Sequence, residues 1–458
     1  MTRRTIKRFK NRSNATPTNQ SRNLIKMARA RLLLVLAVSL LLVLGLARPA
    51  SCEPHLPVVV PVTKDTQTSL YTIPFHDGAT LVLDTAGPLV WTTCQPDHIP
   101  AALACTSPTC KLANAFPFPG CRASSSGSSC PANSHDKCTV YPCNPVTVAC
   151  APGDLSHTRF VANTTDGRNP VRQVSVKALA ACISPRDDKM LLEKLPVGSA
   201  GMAGLAGTGL ALPAQVAASQ GLPADKAKFL LCLPRGSAGG PGVAILGSGG
   251  PLYLLAGQPE DYTRSLQYTP LVVTRKDHPS YYVSVKSIAV DNAAVPEKAL
   301  ATGRVVLCTR TPYTLLRRDV YRPFAAAFEA ALAKQIPRAK KTKKPPVKPF
   351  TLCYEAASLA NTLSGYLVPT VTLAMEGGGK WALAGSNSMV DVKPGTACLA
   401  FVEMPGVKAG DGSAPAVIVG GFQMENFVLQ FDLEKKRLGF FRLPVSTQCS
   451  RFNFTRTG

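Results

Sequence analysis

Leu81-Val82-Leu83-Asp84-Thr85-Ala86-Gly87 is an apolar strand running into an acid and a turn of small residues, with Leu89-Val90-Trp91 directly after it. Far downstream Gly303-Arg304-Val305-Val306-Leu307 repeats the approach and arrives at Cys308-Thr309-Arg310. Each half also carries a later glycine turn, Val243-Ala244-Ile245-Leu246-Gly247 in one and Val417-Ile418-Val419-Gly420-Gly421 in the other. Two related β lobes with a cleft between them are expected, a setting in which binding sites are common. Where the first half offers a carboxyl to that cleft, the second offers a thiol.

The remaining pattern agrees with a mostly β chain. Apolar and polar residues alternate in Tyr281 to Val290, Tyr366 to Leu373 and Val428 to Leu433, between segments broken by glycine and proline. Helical spacing is confined to Pro213–Gln220 and to Arg317–Gln335, where Tyr321, Phe324, Phe328 and Leu332 fall at three- and four-residue intervals. The basic, proline-rich stretch 338–349 that follows reads as a solvated loop, with a partner-docking or a proteolytic site as the alternatives. With 458 residues, 45% of them hydrophobic, the chain is long enough for two cores.

The net charge of +24 is concentrated. Arg3, Arg4, Lys7, Arg8, Lys10, Arg12, Arg22, Lys26, Arg29, Arg31 and Arg48 stand in the first 50 residues with no acid among them, and a second block is the loop at 338–348. The rest is mildly basic and lacks an arginine-rich helix or an aromatic-basic stripe, so nucleic acid is not expected as a partner. Leu32 to Leu46 is an apolar run with Arg29 and Arg31 ahead of it and small residues behind. It is shorter than the roughly twenty residues of a membrane span and reads as the centre of a signal peptide over 27–52. Residues 1–26 are then a basic prefix that need not belong to the working chain. The mature chain divides into a cysteine-rich N-terminal lobe, 53–260, and a C-terminal lobe, 261–458.

Fifteen cysteines agree with secretion. Cys94, Cys105, Cys110, Cys121, Cys130, Cys138, Cys143 and Cys150 are crowded together, yet contain no Cys-x-x-Cys pair, and His98, His135 and His157 follow no ligand rhythm. Disulfides are therefore expected and a metal is not. No cofactor is expected either.

These segments resemble the pepsin-like aspartic proteases, and more closely the plant branch of xylanase inhibitors (TAXI-type) and basic 7S globulin-like proteins. The similarity rests on Leu56 to Val62, Leu81 to Trp91, Leu155 to Gly167, Ala203 to Ala206, Gly209 to Gln215, Pro312 to Tyr321, Asn387 to Val392 and Gly420 to Phe427, in that order. It implies a bilobal β fold, a secreted plant protein that is a monomer, and paired cysteines. Cys143 falls where relatives carry a tyrosine, Cys308 at a lost acid and Cys52 at the cleavage site. Setting those three aside leaves twelve that can all pair: Cys94, Cys105, Cys110, Cys121, Cys130, Cys138, Cys150, Cys182, Cys232, Cys353, Cys398 and Cys449.

Active members of the superfamily use two carboxylates that share a proton. Asp84 can be one; Cys308, a thiol with an ordinary pKa of about 8.5, cannot be the other. Ala86 and Arg310 occupy third turn positions where active members have glycine, and the tyrosine-bearing flap motif is not found between Tyr141 and Arg159. None of the six histidines forms a Cys-His signature that would activate Cys308 as a nucleophile, so a buried, inert thiol is expected there. The resemblance then points to a catalytically inactive protein that inhibits a microbial xylanase or endoglucanase in the apoplast. A residual endopeptidase retaining Asp84 and a storage or peptide-binding globulin are the alternatives. Inhibitors of this type place a histidine in an enzyme's carboxylate pair from a Leu-Pro-His-Phe segment; here Leu443-Pro444-Val445 puts a valine in that position, which can neither hydrogen-bond nor carry charge. Asn163-Thr164-Thr165 and Asn453-Phe454-Thr455 are glycosylation sequons that a secretory route would present.

Overall fold

The computed structural model describes residue 27 and residues 56–455, apart from 77, 95–98, 102, 119–120, 122–136, 185, 237–238, 273–278, 292, 296–299, 301–303 and 343–346. The signal-peptide reading, Cys52 and Cys130 lie outside the described residues, except for Met27. The described residues from Leu56 onward form one compact unit. Among the described residues no helix is long and apolar enough to cross a membrane.

The architecture is mostly β and pepsin-like, and its spine is an antiparallel sheet shared by both halves. Val58–Lys64 pairs with Gly242–Gly247, which pairs with Lys228–Cys232. That strand joins Phe427–Asp432, which continues through Arg437–Arg442 to Gln267–Val272. Residues far apart in sequence thus share one hydrogen-bonded surface, and its inward positions carry the large apolar side chains the alternation predicts. Phe229 stacks on Phe431 at 4.4 Å with the rings 3° from parallel, and Tyr281 leans on Phe431 at 4.8 Å. The Cys232–Cys449 disulfide and a buried ion pair from Lys64 to Glu425, 2.6 Å, also join the halves; Glu425 accepts a second bond from the Tyr71 hydroxyl at 2.7 Å.

Helices are few among the described residues. The longest of these, Arg318–Gln335, buries Val320, Tyr321, Phe324, Phe328 and Leu332, the stripe read from its spacing with Val320 added. It is anchored where it begins: Arg317, with a side chain 0% exposed, reaches both carboxylate oxygens of Asp319 at 2.7 and 2.8 Å and the Asp411 carbonyl at 2.9 Å. Pro213 and its neighbours form the shorter helix Leu212–Ser219.

Each half contains the same local device. Thr80–Asp84 runs parallel to Ser199–Gly204, which is also antiparallel to Val90–Thr93, so the later strand lies between the two that flank the acid turn. In the second half Val305–Cys308 runs parallel to Val417–Gly420, itself antiparallel to Thr314–Leu316. Asp84 is in register with Gly204 and Cys308 with Gly420. Both glycines are required by close backbone approach: a Cβ on Gly204 would lie 2.3 Å from the Leu89 carbonyl oxygen, and one on Gly420 2.4 Å from the Tyr313 carbonyl carbon.

Candidate functional site

The two turns meet through a reciprocal set of hydrogen bonds. The Thr85 amide donates to Thr309 Oγ1 and the Thr309 amide to Thr85 Oγ1, each at 3.1 Å. The hydroxyls in turn donate across the boundary, Thr85 to the Leu307 carbonyl at 2.9 Å and Thr309 to the Leu83 carbonyl at 2.7 Å. All four groups are buried and all are satisfied. This near-symmetric exchange fixes Asp84 and Cys308, the residues immediately before the two threonines, at corresponding positions of one site.

The charges at that site are asymmetric. Arg310 Nη1 donates to Asp84 Oδ2 at 3.0 Å and to Oδ1 at 3.3 Å, and Oδ1 also accepts from the Ala86 amide at 2.9 Å. Burial acts most strongly and works to lower the Arg310 pKa, but the charge and hydrogen bond of the Asp84 carboxylate, together with the neighbouring Cys308, hold the guanidinium above its ordinary value. Asp84 therefore faces a permanent cation and not a second carboxyl that could share its proton. Cys308 is buried and accepts a bond from Thr311 Oγ1 at 3.3 Å. Burial raises its thiol pKa, with the nearby Arg310 acting against that shift, so the sulfur is held in its neutral form. It is the single unpaired cysteine among those whose bonding the structure assigns.

Above these turns lies a cavity of about 270 Å³. Asp84 and Arg310 line it with their paired charges, and Leu89, Trp91, Phe116 and Phe118 are among its apolar lining. Among the described lining residues Asp84 is the only carboxylate. A further part of the wall, Tyr141, Pro142, Cys143 and Pro145, was not apparent as a site from sequence. It belongs to a small hairpin in which Cys143–Asn144 pairs with Ala149–Cys150. The local signal was Pro142-Cys143-Asn144-Pro145, with a cysteine at each end of the hairpin. Asn144 anchors the hairpin from a fully buried position, donating to the Leu191 and Glu193 carbonyls at 2.8 Å each.

The cysteine expectation needs one correction. Cys94–Cys182, Cys110–Cys138, Cys232–Cys449 and Cys353–Cys398 are bonded, and Cys105 is also in a disulfide. Cys143, however, is not set apart from the paired set. The hairpin register puts it opposite Cys150, the same cysteine that Cys121 reaches.

The C-terminal binding candidates are separate from the cavity lining. Leu443 is 5% exposed and packs in the apolar cluster with Tyr262, Cys449 and Phe452, so it holds the segment while Pro444 and Val445 face solvent. Val445 is 52% exposed. The two sequons also differ. Asn163 is half-buried within a paired strand, opposite Val59 on one side and Gln173 on the other, and Thr165 is 0% exposed. Asn453 is exposed, its Oδ1 accepting from the Thr455 amide at 3.0 Å.

Comparison with known proteins places the fold in a family. A family model described as xylanase inhibitor N-terminal matches residues 71–248, and one described as xylanase inhibitor C-terminal matches residues 280–442. A protein of Oryza sativa subsp. japonica named Chitinase CLP is 45% identical over 435 residues, 92% of this chain and 98% of that protein. Probable aspartic proteinase GIP2 of Nicotiana benthamiana is 30% identical over 87% of this chain and 92% of its own length. The crystal structure of edgp superposes with a TM-score of 0.72 at 28% identity, covering 88% of this chain and 100% of that one.

Proposed function

The chain belongs to the xylanase-inhibitor family of pepsin-like proteins, and from that premise we propose that it is a secreted binding protein without peptidase activity, directed at a cell-wall glycoside hydrolase. The observation that carries the first part is the Arg310–Asp84 ion pair, 3.0 Å, beside a buried Cys308. Peptide hydrolysis by this fold needs one carboxyl to activate water and another to donate to the substrate carbonyl. A guanidinium cannot accept the water's proton, and a neutral buried thiol cannot share one.

The second part draws on the family and on charge. A basic protein is attracted to the acidic groove in which a glycoside hydrolase keeps its two carboxylates. Val445 offers an apolar tip in the C-terminal segment, so the contact would depend on shape and burial and not on a charged finger. Titrating the purified mature protein against xylanases, endoglucanases and chitinases tests this reading. Saturable loss of rate with one of them supports it, and undiminished rates throughout count against it.

A second reading is favoured by the 45% identity to the rice protein named Chitinase CLP: that this chain acts on chitin itself. Hydrolysis by a carboxylate pair would then require an acid beyond Asp84, since the described cavity lining contains no other. Sugar release from colloidal chitin by the wild type, and its retention or loss in Asp84→Asn, separates this reading from inhibition.

A further inference from the structure

Cys121, Cys143 and Cys150 bring three sulfurs within 4.8 Å of one another, all half-buried. A sulfur forms one disulfide, so three sulfurs hold one bond and leave one thiol over. The other described cysteines offer no partner for it: Cys94, Cys182, Cys110, Cys138, Cys232, Cys449, Cys353, Cys398 and Cys105 are already bonded, and Cys308 is buried and does not line the cavity that Cys121 and Cys143 share.

Both pairings are compatible with the backbone. Cys143 and Cys150 are directly opposed across the hairpin with Cα atoms 4.2 Å apart, just under the usual disulfide range and close to the 4.0 Å of Cys353–Cys398, another directly opposed antiparallel pair that is bonded. Cys121 and Cys150 have Cα atoms 5.8 Å apart, inside the usual disulfide range of about 4.4–6.8 Å. The first closes a short loop within a hairpin already held by Asn144. The second ties the wall bearing Phe116 and Phe118 to that hairpin.

We propose that these cysteines form an exchange triad in which Cys150 is shared between Cys121 and Cys143, and that the displaced thiol is a thiolation site opening on the cavity. The thiolate of Cys143 attacks Cys150 Sγ, the Cys121–Cys150 bond breaks as the Cys143–Cys150 bond forms, and Cys121 leaves as a thiolate that takes up the proton Cys143 released. No oxidant or reductant is consumed. A small-molecule disulfide enters the same way: the free thiolate bonds to one of its sulfurs and the other departs as a thiolate. Cys121 and Cys143 both line the cavity, so the bond's position decides whether the wall bearing Phe116 and Phe118 is tethered and the adduct occupies the space above Asp84 and Arg310.

The test uses the full mature chain. It is alkylated with N-ethylmaleimide while native, before and after exposure to oxidised glutathione, and digested without reduction for mass mapping. The triad account expects one equivalent of label on native protein, recovery of both the Cys121–Cys150 and the Cys143–Cys150 peptides, and loss of that label after one glutathione has added. Cys308 should label only after unfolding. Cys143→Ser and Cys121→Ser should each collapse the mixture to a single link and abolish native labelling; the wild-type map stands independently if either variant fails to fold. A single fixed bond with a third sulfur that does not label in the native state overturns the proposal, as does finding that sulfur bonded to Cys52 or Cys130.

Discussion

Arg310 Nη1 lies 3.0 Å from Asp84 Oδ2 and 3.3 Å from Oδ1, so the carboxyl that ends one apolar strand is paired with a cation two residues beyond the thiol that ends its counterpart. Asp84 is 5% exposed at its side chain and Arg310 27%. Removing the cation leaves a buried acid without its partner. Arg310→Ala is therefore expected to destabilise the protein by on the order of 3 kcal/mol, measurable as a lower urea midpoint. Asp84→Asn with Arg310→Ala should recover part of that loss.

The same geometry predicts that restoring the acid is insufficient. Cys308→Asp alone should yield no cleavage of a denatured substrate at acid pH, because Arg310 still engages a carboxylate lining the cavity. Cys308→Asp combined with Arg310→Gly removes that obstacle, and peptide release by the double variant with none by the single one is the expected result.

Thr309→Val retains shape and removes a hydroxyl. It leaves the Thr85 amide and the Leu83 carbonyl, both previously paired at 3.1 and 2.7 Å, without those partners in a buried boundary. A loss of roughly 2–4 kcal/mol is expected, from two hydrogen bonds and the desolvation of the groups left behind. Chemical denaturation of wild type and variant measures it.

Asp319 sets a pH dependence. Its hydrogen bond from Arg317, chiefly, holds its folded pKa below the ordinary carboxylate value, against the opposing effect of burial. A depressed acid contributes stability that is complete above its unfolded pKa, near 3.9, and lost as pH falls through its folded value. Wild type should therefore lose this contribution on acidification, whereas Asp319→Asn should start from lower stability at neutral pH and show a shallower acid slope. Melting temperatures across that range supply the comparison.

Glycan occupancy should follow exposure. In a secretory host Asn453 is expected to carry the glycan, and Asn453→Gln to remove it. Asn163→Gln should change the mass only by the substitution, since Asn163 is held in a paired strand and Thr165 is occupied within a buried turn, donating to the Asn169 carbonyl at 2.7 Å. Intact-mass measurement distinguishes the two.

Much of this was legible from local pattern. Two apolar strands ending in short turns identified Asp84 and Cys308, and three- and four-residue spacing located the Arg318–Gln335 helix, because burial repeats with backbone geometry. The ion pair was not legible. Arg310 could be read as a departure from glycine, but its reach back to Asp84 depends on the threonine exchange that joins residues more than two hundred positions apart. Cys143 escaped for a related reason: counting cysteines gives parity, whereas only the hairpin register places Cys143 opposite Cys150. Leu443 likewise reads as part of a binding segment until packing turns it inward against Tyr262 and Phe452.

The central claim is that Asp84 no longer serves proteolysis, and its most direct test is cleavage of an acid-denatured protein substrate by purified mature wild type and Asp84→Ala across the acid range. The account predicts no peptide release from either. Release by the wild type that vanishes in Asp84→Ala would contradict it.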